Sequence, residues 1–288
     1  MDLPIRLIRW FNHAIPWIKF KHSLAKWAGR RLPTGQGPRV YGGVQGRLKM
    51  RLDLASESER WMYLNNYELI PRRILNKVLR AGDIFVDCGA NVGFLAMWAA
   101  RRVGPGGRVY AFEPMPPTVE RLRENVSLND IQNVEIVANG TWDSTGIATI
   151  YWFENTESGF VSLGKREGLS VEREYTIETV RLDDLINPPI RAIKIDVEGA
   201  ELATLRGAEK LLISSRPHIL MELNPVTCEC FGYQPIDLIS WVLQRLGDYR
   251  VNLLKSRKCL PIDWQELRSL LHDRPGKLRN VWLSPTES

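Results

Sequence analysis

Three acidic stations in this 288-residue sequence could do chemistry together: Asp87, Glu113 and the run Lys194-Ile-Asp196-Val-Glu198-Gly-Ala-Glu201. Asp87 opens the turn Asp87-Cys-Gly89-Ala-Asn91-Val-Gly93, which follows a short apolar strand pattern and precedes an apolar helix pattern. In an open α/β sheet, the turn after a leading strand is where nucleotide-like ligands dock. Gly89 and Gly93 allow backbone to approach a ligand and allow helix and strand to pack closely. The dinucleotide fingerprint GxGxxG differs in two respects. Here an acid closes the strand, and Asn91 stands at the middle glycine. A pyrophosphate wants bare N–H groups with no anion beside them. An acid at Asp87 suits a ligand that carries positive charge, such as the ammonium and sulfonium groups of S-adenosylmethionine.

Glu113 ends the second strand pattern, in Val109-Tyr-Ala-Phe-Glu113-Pro114. A carboxylate there can accept hydrogen bonds from both ribose hydroxyls of NAD or of an adenosyl ligand. The third strand pattern runs into Asn139-Gly-Thr-Trp142-Asp143. By position Asn139 and Asp143 flank the adenine, while Trp142 reads as packing. Strand alternation puts Lys194, Asp196 and Glu198 on one side of a strand that should be buried on both faces. Polar groups there are costly unless paired or used. An ion pair with Lys194 accounts for Glu198, and Asp196 at the strand end is the functional candidate. Glu201 reads as a first-turn helix acid. Met221-Glu222-Leu-Asn224 ends the next strand pattern and should emerge near Asp196. Asp196, Glu222 and Asn224 could hold a divalent cation through oxygen. Substrate hydroxyls rank above a metal, because spacing alone fixes no octahedral set.

The elements that must position these residues alternate. Strands are expected at 83–88, 107–114, 134–138, 190–197 and 218–223, with helices at 93–102, 117–129, 200–214 and 236–246. Such alternation implies a mostly parallel, doubly wound α/β sheet with helices on both faces. Two more strands, 249–254 and 278–283, could close one edge. Residues 149–153 and 171–182 alternate as antiparallel strands do, and a seventeen-residue segment joins them, long enough to be a functional lid or disordered. A helix is expected over 56–80.

Residues 1–55 read as a basic N-terminal helical extension and a Gly- and Pro-rich linker, ahead of a main domain over 56–288. The net charge of +6 lies entirely in residues 1–31, which hold seven bases and one acid. The rest is balanced, so no nucleic-acid groove is indicated on the main domain. The basic, Trp-rich helices could lie on an anionic membrane surface or cap the core. The longest uncharged run is 13 residues, Cys88–Ala100, too short to span a bilayer. No leader peptide is recognisable, which makes a cytoplasmic location the expectation, with residues 1–31 available to the inner membrane face.

The motifs Asp-Ile-Phe-Val-Asp87-Cys-Gly-Ala-Asn-Val-Gly, Ala-Phe-Glu113-Pro, Thr179-Val-Arg-Leu-Asp-Asp-Leu185 and Ile-Lys194-Ile-Asp-Val-Glu-Gly-Ala-Glu201 together resemble the FkbM family of S-adenosylmethionine-dependent methyltransferases. The resemblance covers roughly residues 56–285. It implies a class I methyltransferase (Rossmann-like) fold and O-methylation, often of sugar or polyketide hydroxyls. It implies a cofactor loop at Asp87, Gly89, Asn91 and Gly93, with Glu113 as the ribose acid. Asp196 and Glu198 are then the carboxylates placed to act as general base. The acceptor would be a hydroxyl of a sugar, glycolipid or secondary metabolite, bound in part by Glu222 and Asn224. The rival readings are an NAD-dependent oxidoreductase on the same fold, against which Asp87 and Asn91 speak, and a non-catalytic nucleotide-binding module.

Overall fold

The structure is a computed structural model that describes residues 7–10, 21–33, 35–44, 47–153, 161–162, 171–255, 258–273 and 277–286. Residues 7–10 are helical. Next come α1 (Lys21–Gly29), a hairpin of β1 (Arg39–Val44) and β2 (Leu48–Leu52), α2 (Glu57–Tyr63) and α3 (Leu69–Val78). The alternating part then begins: β3 (Ile84–Cys88), α4 (Phe94–Val103), β4 (Arg108–Phe112), α5 (Pro116–Ser127) and β5 (Val134–Val137). An inserted sheet follows, made of β6 (Gly140–Thr141), β7 (Gly146–Phe153), β8 (Val161–Ser162) and β9 (Val171–Val180), and closed by α6 (Leu182–Leu185). The chain resumes with β10 (Ala192–Ile195), α7 (Glu201–Gly207), α8 (Glu209–Ser215), β11 (His218–Leu223), α9 (Pro225–Cys230) and α10 (Pro235–Leu246). It closes with β12 (Tyr249–Lys255), β13 (Lys258–Pro261), α11 (Trp264–Asp273) and β14 (Arg279–Pro285).

The main sheet has eight strands in the order β13-β12-β14-β11-β10-β3-β4-β5. The block β11-β10-β3-β4-β5 is parallel. β14 is antiparallel to both β11 and β12, so β12 runs with the parallel block. This is the doubly wound, mostly parallel class I arrangement expected from the sequence. Alternation divides the core between the two faces. Phe85, Val109, Ala111, Ala192 and Leu220 face one layer, while Val86, Cys88, Tyr110, Phe112, Ile193 and Met221 face the other. From β3 the chain winds outward through β4 and β5, then returns to the other side of β3 for β10 and β11. The crevice at that reversal is where such sheets bind ligands.

Three expectations need correction. The helix expected over 56–80 is broken into α2 and α3. Asn65 (φ 58°) and Glu68 (φ 50°) are left-handed, and Pro71 has no N–H to give to the Tyr67 carbonyl. Pro71 is tolerated only because it lies in the first turn of a new helix. The helix expected over 200–214 is likewise two, meeting at Ala208. The stretch read as a linker supplies the hairpin β1–β2, antiparallel with a register shift between Tyr41 and Val44. The antiparallel pairing of β7 with β9 is as expected. The joining segment lies outside the described residues, apart from β8.

The N-terminal elements roof one sheet face. Ala25, Ala28, Val44, Met50, Leu52, Tyr63 and Leu75 share a buried cluster with Phe85 and Phe94. Polar contacts fix the roof to α5. Glu59, almost fully buried, accepts from the Arg121 guanidinium and from the Asp53 N–H at 2.6 Å. Asn129 exchanges two hydrogen bonds with the Lys49 backbone, at 3.0 and 2.7 Å. Asn125 accepts from the Arg51 N–H at 2.6 Å and donates to the Val92 carbonyl at 2.9 Å. The amides of Asn125 on α5 and Asn129 just past it thus do for the outer edge of β2 what a neighbouring strand would do. Asn125 also ties that edge to the turn after β3.

Candidate active site

The turn between β3 and α4 packs tightly against β10 and α5. Gly89 has φ +81°, and a Cβ there would sit 1.9 Å from the Asp196 carbonyl oxygen. A Cβ on Gly93 (φ +87°) would sit 2.2 Å from a methyl of Leu122. The need for glycine is therefore met inside the protein, by the end of β10 and by α5. Asn91 is left-handed (φ 50°), and its side chain accepts from the Val92 N–H at 2.8 Å. Its own N–H donates to Glu113 Oε2 at 2.9 Å, while the Met115 N–H donates to Glu113 Oε1 at 3.0 Å. Both carboxylate oxygens of Glu113 are thereby oriented, and each keeps a lone pair for another donor. Burial pushes the Glu113 carboxyl up to about 7 in spite of those N–H bonds.

Asp87 is 1% exposed, at the penultimate position of β3. Among the described residues no hydrogen-bond donor reaches either carboxylate oxygen. The Lys194 ammonium stands 4.0 Å away, directly across in register on β10. Burial pushes the Asp87 carboxyl up to about 7, against the pull of Lys194. Lys194 bonds to Asp196 Oδ2 at 2.8 Å. The lysine ion pair that the sequence suggested for Glu198 is therefore made with Asp196. Burial alone would lower the lysine pKa, but Asp196, Asp87 and Glu68 outweigh it, and the ammonium is held well above its ordinary range.

The turn after β10 is held from below. Glu201 accepts from the N–H groups of Val197 (3.0 Å) and Gly199 (3.1 Å). The Tyr233 hydroxyl lies 2.8 Å from the Gly199 carbonyl and 3.0 Å from Glu201. Glu198, left-handed at φ 53°, rides on this braced turn. Glu222 approaches the same place from β11. Burial, with Asp196 and Glu198 nearby, pushes its carboxyl up to about 9. The Asn224 amide reaches Glu222 at 3.5 Å while its oxygen caps α9 at the Val226 N–H, 3.2 Å away.

The remaining sequence candidates are dispersed. Asn139 donates to Glu178 of β9 at 3.3 Å, just beyond β5. Asp143 lies by the C-terminal end of α7, near Gly207, and its carbonyl accepts from Arg181 at 3.2 Å. Trp142 packs its ring on Phe231 at 5.9 Å between centroids. Among the described residues no group of three or more His, Cys, Asp or Glu side chains is placed to hold a metal ion.

Two residues at the site were not among the sequence candidates. Glu68 lines a small cleft with Lys194, Asp196 and Glu222, and Tyr67 stacks edge-on against Phe94 at 5.4 Å. Both ride on the break between α2 and α3. Asn65-Asn66 followed by Pro71 was the available signal.

A comparison with protein families matches residues 87–251 to the methyltransferase FkbM domain. The chain belongs to the FkbM methyltransferase family. It is similar to the hexuronic acid methyltransferase AglP of Haloferax volcanii, 30% identical over 146 residues, covering 49% of this chain and 56% of the relative. It is also similar to the 31-O-demethyl-FK506 methyltransferase FkbM of Streptomyces tacrolimicus, 29% identical over 161 residues, covering 46% of this chain and 61% of the relative. The chain thus spans less than two thirds of either relative. The crystal structure of the methyltransferase FkbM from Methylobacillus flagellatus aligns with a TM-score of 0.45 at 17% identity, covering 78% of this chain and 54% of that one. S-Adenosylmethionine, the group the family implies, fits the donor set: Asp87 offers a buried carboxylate that accepts no hydrogen bond among the described residues, and Glu113 offers one whose oxygens are already aimed.

Proposed function

We propose that this FkbM-family chain is an S-adenosylmethionine-dependent methyltransferase that methylates a hydroxyl of a sugar, glycolipid or secondary metabolite. The observation that carries this is the Asp87 carboxylate, buried at the tip of β3 with no hydrogen-bond donor among the described residues. A buried carboxylate that accepts no hydrogen bond and shares its lysine with Asp196 is costly, and a ligand with positive charge offsets that cost. Of the two relatives above, the hexuronic acid methyltransferase supports a sugar acceptor and the 31-O-demethyl-FK506 methyltransferase supports a hydroxyl one.

When bound, the cofactor supplies a methyl group already activated on a sulfonium. The chain's own work is then to position and to move a proton. Asp87, Gly89, Asn91 and Gly93 would hold the cofactor beside the turn, with Glu113 on the ribose and Asn139 and Asp143 towards the adenine. Asp196 would take the hydroxyl proton, its carboxylate oriented by the 2.8 Å bond from Lys194. Glu198 is the second carboxylate in reach of that role. Glu222 and Asn224 would bind the acceptor. The exposed side chains of Leu7, Trp10 and Trp27, with Arg31 stacked 4.0 Å over the Trp27 ring, would give residues 1–31 peripheral contact with an anionic membrane.

Calorimetry of the full chain tests the reading. S-Adenosylhomocysteine should bind and NAD should not; the reverse result would overturn it. Asp196→Asn should keep that binding while methyl transfer falls at least about 100-fold.

A further inference from the structure

The cleft beside Asp196 is built from two kinds of segment. Lys194, Asp196 and Glu222 come from the FkbM-matched stretch, which spans residues 87–251. Glu68, Pro71 and Asn280 come from outside it. Glu68 reaches the cleft because the helix breaks there, with φ 50° and ψ 40°. Asn280 stands opposite Glu222 in the pairing of β14 with β11.

The hydrogen bonds of this cleft are unevenly distributed. Lys194 is engaged by Asp196 and flanked by Asp87. Arg72, the nearest arginine on α3, turns to the Glu68 carbonyl at 3.3 Å and to the Phe94 ring at 5.7 Å. No donor among the described residues hydrogen-bonds the Glu68 carboxyl group. Burial pushes that carboxyl above its ordinary value, the sign of a group with too little solvation of its own.

We infer that Glu68 is an acceptor-binding residue, supplied from outside the family segment, which takes a hydroxyl of the acceptor and excludes acceptors that carry negative charge next to it. The inference rests on the methyltransferase reading above and adds to it the charge class of the acceptor. The physical reason is balance. An acceptor with two neighbouring hydroxyls in this cleft can donate one of them to Glu68 and lose the proton of the other to Asp196. A carboxylate or phosphate in the same place would meet the carboxylates of Glu68 and Asp196, with Lys194 already engaged by Asp196 and Arg72 by the Glu68 carbonyl, and like charges brought together without solvent strongly disfavour binding.

The test uses the full chain, labelled S-adenosylmethionine and two sugars that differ in one group, methyl glucoside and methyl glucuronide. The wild-type chain should methylate the glucoside with a kcat/KM at least about tenfold above that for the glucuronide. Glu68→Gln should raise the KM for the glucoside about tenfold, the loss of one hydrogen bond to a charged group. Glu68→Lys should shrink or reverse the preference between the two sugars. Calorimetry with S-adenosylhomocysteine should show both variants binding as the wild type does, which also establishes that they fold. Equal use of the two sugars, an unchanged KM in Glu68→Gln, or turnover of neither sugar by a chain that binds S-adenosylhomocysteine would overturn this role for Glu68 and leave the methyltransferase reading standing. Failure of the wild-type chain to bind S-adenosylhomocysteine would instead sink that reading, and the role of Glu68 with it.

Discussion

At Asp87 and Glu113, two buried carboxyls are held near neutrality, each at about 7, chiefly by burial. A cationic ligand beside Asp87 favours its ionised form, and hydroxyl donors on Glu113 do the same there. Binding should therefore lower both pKa values and release protons. S-Adenosylmethionine affinity should rise with pH between about 6 and 8 and level off above, by linkage. Calorimetry near neutral pH in two buffers of different ionisation enthalpy should register the protons released. Asp87→Asn should remove the part of the slope that belongs to Asp87 and keep the part that belongs to Glu113. An affinity that falls as pH rises would contradict the placement. Asp87, Glu113 and Asp196 were legible in the sequence because each closes a strand with a strong apolar pattern. The partner of Lys194 was not, since alternation puts Asp196 and Glu198 on the same side and only the braced turn after β10 separates them.

Among the elements, α2 and the β1–β2 hairpin depend on α5. The Glu59 side chain is only 5% exposed, and Arg121 is its salt-bridge partner. Arg121→Ala should cost about 3 kcal/mol, because it leaves a buried charge without its partner. Urea unfolding measures this, and adding Glu59→Gln should recover part of the loss; strictly additive losses would show that the pair is not coupled. The break that delivers Glu68 was hidden by the regular spacing of Glu59, Tyr63 and Tyr67, which suits a helix on either side of the interruption. The hairpin strand β13 and helix α11 also went unread. β13 is four residues long and mostly exposed, so it carries no alternation to detect.

For the molecule as a whole, the fold class followed from strand–helix alternation, and the parallel block β11-β10-β3-β4-β5 lies where that pattern is strongest. How the N-terminal residues attach could not be read, because a basic amphipathic helix suits a core and a membrane equally. In the structure part of this segment is packed and part is exposed. Ala25 and Ala28 are fully buried, and Arg9 stacks 4.4 Å over the Tyr63 ring. Trp10 is 63% exposed and Trp27 42%. Among the described residues no helix is long and apolar enough to cross a membrane. The full chain should float with phosphatidylglycerol-containing vesicles at low salt, less so at high salt, where charge is screened. Trp10→Ser with Trp27→Ser should weaken flotation while sparing the buried alanines. Indifference to both salt and substitution would retire the membrane contact.

The amide of Asn125 carries one more consequence. Asn125-Val-Ser matches the acceptor sequon for N-linked glycans. Yet this asparagine is 0% exposed, with its oxygen on Arg51 and its nitrogen on Val92. A sugar attached to that nitrogen has no room in the folded protein. Were the chain made in a glycosylating secretory pathway, modification of Asn125 before folding would pry the hairpin from the turn after β3, whereas in a chain that had already folded Asn125 would be out of the transferase's reach.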